Sequence, residues 1–128
     1  MFPTITIPKL HLEYQIWMNE LNFYKEEIRI FESHLEMIID KLDDVMAKSK
    51  VEQFQNQFIR EKEVIDELKH KLHVSERQLA FFVKEYSGLG LESIKMDNHG
   101  KLRDEMITFR KIYTELKQDF RGFEADWI

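Results

Sequence analysis

Five side chains of this 128-residue sequence form a candidate pool of metal ligands: Glu27, His34, Glu61, Asp66 and His70. Carboxylate oxygen and imidazole nitrogen are donors that iron, manganese and zinc accept, so a cluster of them would give a redox or storage centre. Two of the five belong to a longer row, since Glu13, Glu20, Glu27, His34 and Lys41 recur at intervals of seven. On a helix that spacing keeps them on one face. An ionised carboxylate buried on such a face is costly unless it is paired or bound to metal, so the row needs partners. The expected partners of Glu20 and Glu27 are Lys or Arg side chains from neighbouring helices, with a metal as the alternative.

The row lies on an apolar helix. Leu10, Tyr14, Trp17, Leu21, Tyr24, Ile28, Phe31, Leu35, Ile38, Leu42 and Val45 alternate at steps of four and three, the seam of a long packed helix. Ile16, Phe23, Ile30 and Met37 form a second apolar stripe spaced by sevens. That stripe implies a second neighbour, with the acidic row threaded between the two contacts. Pro3 and Pro8 around Ile5, Thr6 and Ile7 predict an extended arm over residues 1–8. The first helix is then expected over about residues 9–48, where Ser49 and Glu52 match a capping box and the seam loses its phase.

A second seam of Val51, Phe54, Phe58, Ile65, Leu68, Leu72, Leu79, Phe82 and Tyr86 predicts a helix over residues 50–87, with Glu61 and Ser75 in the two slots left over. Gly88 and Gly90 close it. The third seam, His99, Leu102, Met106, Phe109, Tyr113, Leu116, Phe120, Phe123 and Trp127, predicts a helix over residues 97–127 capped by Asp97 or Asn98. The fold class expected is all-α, a single domain built as an antiparallel bundle of three long helices with coiled-coil-like packing.

A turn near residue 48 makes facing residues of the first two helices sum to about 97, because both rise about 1.5 Å per residue. Glu27 then stands level with His70, and His34 with Glu63, while Glu115 and Asp119 of the third helix come to the same height as Glu27. This inventory resembles, in part, the carboxylate-bridged di-metal bundles, which carry Glu-x-x-His on two helices. Glu67 to His70 supplies one such motif and no second copy exists. Hemerythrin-like bundles are less similar: only the interval from His99 to Asp104 matches one of their spacings.

Composition excludes other classes. There is no cysteine, hence no disulfide, thiolate metal site or cysteine nucleophile. The net charge of −5 and the mixing of acids with bases argue against a nucleic-acid surface. The charges of the second helix, among them Arg60, Lys62, Lys69, Lys71, Asp66 and Glu67, read as solvated pairs within that helix. No apolar run is long enough for a membrane span, which makes a cytoplasmic protein the expectation. Ser87-Gly88-Leu89-Gly90 lacks the Lys and Ser/Thr of a phosphate loop, and no serine sits in a strand-to-helix elbow.

The functional expectation is a non-enzymatic interaction or scaffolding protein without a cofactor, associating with itself, through apolar positions such as Ile59, Val74, Phe81 and Val83, or with another helical protein. The alternative is a metal-binding bundle with Glu27, His34, Glu61, Asp66 and His70 as ligand pool for iron, manganese or zinc. A pocket among the aromatic rings is a third, slighter possibility.

Overall fold

A computed structural model describes residues 5–86, 93–94 and 99–127. They form three helices, α1 (Ile7–Ile39), α2 (Val45–Tyr86) and α3 (His99–Ala125), and two short strands, β1 (Ile5–Thr6) and β2 (Ser93–Ile94). The chain is an all-α three-helix bundle. β1 pairs antiparallel with β2, Ile5 opposite Ile94 and Thr6 opposite Ser93, which ties the entry of α1 to the segment that leads into α3. Thr6 caps α1 by accepting a hydrogen bond from the Lys9 amide at 3.4 Å, and Pro8 occupies the first turn, where its missing N–H costs nothing. The glycine pair and the capping residues Asp97 and Asn98 lie outside the described residues.

Cross-helix pairs fix the directions. Gln15 meets Glu76, Lys25 meets Asp66 and Glu32 meets Lys62, so numbers rise on α1 as they fall on α2. Between α1 and α3 the offset is constant at 90 residues, so those two helices run the same way. The seams fill the centre: Leu10, Tyr14, Leu21, Ile28 and Leu35 of α1 pack with Val51, Phe58, Ile65 and Leu72 of α2 and Met106, Tyr113 and Phe120 of α3. One end of the core is built of rings, with Phe120 5.0 Å from Phe31 and edge-on to both Phe54 and Phe58. Aromatic contacts of this kind add to the area they bury.

The first turn differs from the expected one. α1 ends at Ile39 and α2 begins at Val45, so the turn comes before the Ser49 capping pattern, which falls inside α2. Asp44 supplies the real cap: its side chain accepts from the Met46 amide at 3.0 Å while its carbonyl accepts from the Lys48 amide. Leu42 stays in the core inside this turn, which is why the seam ran on through it, whereas Val45, its next member, is 79% exposed. The earlier turn also shifts the register. The pairs named above sum to 91 or 94 instead of 97, sliding α2 past α1 by about 5–9 Å.

Candidate functional site

The acidic row of α1 is met along its length by a second row on α3 with the same spacing. Arg103 donates to Glu13 at 2.8 Å and Arg110 donates to Glu20 through both Nε and Nη2, at 2.5 and 2.9 Å. Lys117 donates to Glu27 at 2.8 Å, and in the fourth rung the acid stands on α3 instead of α1, His34 Nδ1 lying 2.5 Å from Glu124 Oε2. Every rung joins residue i to residue i + 90. Because both helices run in parallel, equal heptad spacing keeps successive rungs in register without supercoil mismatch.

Two tyrosines brace the inner side of this ladder. Tyr113 donates to Glu27 at 2.7 Å and Tyr24 to Glu20 at 2.9 Å, with their rings 4.9 Å apart. Burial and the Glu20 carboxylate push the Tyr24 hydroxyl up to about 12, and burial with Glu27 does the same in direction for Tyr113. Burial also raises the Glu20 carboxyl, but the hydrogen bonds from Arg110 and Tyr24 outweigh it and hold Glu20 below its ordinary value. At the first rung His99 Nε2 lies 2.8 Å from Glu13 Oε2, and its ring stacks on Trp17 at 5.5 Å. Burial lowers the His99 pKa against the pull of Glu13, so the imidazole is neutral at pH 7 and the charge pair of this rung is Glu13 with Arg103.

The five residues considered as ligands do not come together. Glu27 is engaged by Lys117 and Tyr113, and His34 by Glu124. Asp66 is exposed and accepts from Lys25 at 2.6 Å, while His70 stands on the surface of α2. Glu61 lines the groove between α2 and α3, away from the other four. Among the described residues no three His, Asp or Glu side chains are grouped so as to hold a metal ion. The cluster failed on register: it required Glu27 level with His70, whereas Lys25 already stands opposite Asp66.

Pairing within α2 also gives way to pairing across the bundle. Lys62 reaches Glu32, Asp66 reaches Lys25 and Lys71 reaches Glu105. Ser75, in one vacant seam slot, is fully buried beside Tyr14, where its small side chain leaves room for the ring. Arg103, Arg110, Lys117, Glu124, Tyr24 and Tyr113 were not assigned to the acidic row by sequence reasoning. The signal for the four on α3 was present, since Arg103, Arg110, Lys117 and Glu124 are spaced by sevens with an acid at the fourth position opposite His34; the two tyrosines carried no such spacing.

With α3 docked on the acidic row, the apolar stripe beyond it stays uncovered. Ile16, Phe23, Ile30 and Met37 are all between 52% and 61% exposed, each three residues after a rung of the ladder, and Leu12 extends the row at its start. The second neighbour expected on this stripe binds the adjoining acids instead. Half-exposed side chains of this size present on the order of 100 Å² each, giving a patch of roughly 400–500 Å², a size that is often functional on a monomer. Met37 and Trp127 share a concavity at one end of it, next to His34 and Lys41.

Among the described residues no helix is long and apolar enough to cross a membrane. Comparison with models of protein families, with curated proteins and with solved structures gave no match.

Proposed function

We propose that this chain is a non-enzymatic interaction module that associates with a second copy of itself through the outer face of α1. The observation that carries the proposal is the exposed row of Ile16, Phe23, Ile30 and Met37. A helix needs this regularity only if a partner of the same period lies along it. The row spans 21 residues, or about 32 Å, and its equal spacing reads the same from both ends. A two-fold axis across its middle would place Ile16 against Met37 and Phe23 against Ile30, the self-complementary arrangement of an isologous interface. Two such patches with their flanking residues would bury on the order of 1,000 Å², the lower range of specific interfaces.

The α2 positions first considered for self-association fit less well. Ile59, Phe81 and Val83 are exposed but Val74 is half-buried, and they lack a common heptad spacing. Sedimentation equilibrium of the purified chain tests the proposal. A dimer with a dissociation constant in the micromolar range is expected, and a strict monomer at several hundred micromolar would end it.

A further inference from the structure

The groove between α2 and α3 holds a largely buried glutamate to which, among the described residues, no protein group donates a hydrogen bond. Glu61 is 6% exposed and lines this groove, whose volume is about 370 Å³. Among the described residues no side chain donates a hydrogen bond to it, and Arg60 acts on it through charge alone. Burial accordingly raises its pKa. The floor beside it is apolar, formed by Val64, Leu68, Phe109 and Ile112. Glu105, at the opposite end, gives one oxygen to Lys71 at 2.9 Å while its Oε2 is buried without a partner. Since Glu105 stands level with Lys71, ten residues along α2 from Glu61, the two acids are about 15 Å apart.

A carboxylate that loses most of its hydration and gains no donor is a standing cost to the fold. Here it is also an attraction for a ligand that brings a charged donor. We propose that the α2–α3 groove binds an elongated apolar cation: a primary ammonium on an aliphatic or aryl-alkyl body. The ammonium sits at Glu61, where three N–H donors face a carboxylate that has no donor from the described protein groups. The body lies over Val64, Leu68, Phe109 and Ile112. The volume suits a molecule of drug-fragment size, bound mainly by apolar contact and oriented by a few polar groups. The other charges of the groove, Arg60, Lys71 and Lys101 against Glu67, Asp104 and Glu105, balance one another, so the charge at Glu61 decides selectivity: a neutral body leaves it without a donor and an anionic one is repelled by it.

The test uses three matched probes on the full chain, phenylbutylammonium, phenylbutanol and phenylbutyrate, followed by methyl NMR of Val64, Leu68 and Ile112. Saturable shifts are expected with the ammonium, at least tenfold weaker ones with the alcohol and none with the carboxylate. Saturating ammonium should also lower the Glu61 pKa read by carboxyl NMR. In Glu61→Gln, which keeps the side chain's shape and removes its charge, the preference for ammonium over alcohol should vanish. Equal binding of ammonium and alcohol to the wild type, absence of saturable shifts up to solubility, or an unchanged preference in Glu61→Gln would each overturn the assignment.

Discussion

At the scale of single residues, the rungs between α1 and α3 differ in how much water they see, and their contributions should differ accordingly. Lys117 and Glu27 are the most enclosed pair of the ladder, with Tyr113 donating to the same carboxylate. Glu27→Ala removes an acceptor from two donors at once and should destabilise the fold by about 2–3 kcal/mol, whereas an exposed pair is worth under about 1 kcal/mol. Urea denaturation of Glu27→Ala beside Asp66→Ala, whose partner Lys25 pairs with it at the surface, makes the comparison. Charge reversal separates pairing from packing. Arg110→Glu should be destabilising, and Glu20→Arg in the same chain should restore part of the loss, with a coupling energy of about 1–2 kcal/mol.

Glu61 and Glu20 respond to acid with opposite signs. Glu20 is held below its ordinary value, so its contribution is present above the usual carboxylate range and is lost as pH falls through the lowered value. Glu61 is raised, so ionising it costs the folded state, and that cost appears as pH rises from the usual range through the raised value. Glu61→Gln should therefore be more stable than wild type at pH 7, and the gap should close on acidification through the raised Glu61 value. Thermal unfolding at a series of pH values reads it; a gap that widens toward acid would contradict the burial of this carboxylate.

At the scale of elements, the turn between α1 and α2 rests on Asp44. Asp44→Ala should cost about 1 kcal/mol through loss of the N-cap, while Ser49→Ala, inside α2, should change stability by less than about 0.5 kcal/mol. The seams were legible because large apolar residues at steps of three and four have one stable arrangement, and nearly all of Leu10 to Leu42 is buried as that pattern requires. The turn was not legible by the same logic, since a residue in a tight connection can still point inward, as Leu42 does. Adjacent Asp43 and Asp44 carried the local signal, and an aspartate before a helix is an ordinary cap. Missing it displaced the register, and the displaced register is what assembled a ligand cluster from residues that lie apart. The acidic row itself is readable as needing partners, and the matching row of Arg103, Arg110, Lys117 and Glu124 on α3 has the same spacing.

At the scale of the whole molecule, α1 carries two kinds of chemistry on adjoining strips of its surface: the ladder holds α3, and the exposed stripe is the face proposed above to take a second copy. The strips are interleaved, with Phe23 three residues beyond Glu20 and four before Glu27, yet their chemistry is separable. Phe23→Glu combined with Ile30→Glu places two charges in the proposed interface and none in the core, so the monomer should keep its stability while association is lost. The weakening expected is at least a hundredfold, because each charge would be desolvated against an apolar partner. Arg110→Glu should do the reverse, lowering stability while leaving the stripe intact. Linkage supplies a third signal: a protein that dimerises only when folded has a melting temperature that rises with concentration. That rise is expected for wild type and should flatten in the stripe variant. If Phe23→Glu with Ile30→Glu unfolds the chain as severely as the loss of a rung, the stripe belongs to the monomer's own packing and the dimer interface lies elsewhere.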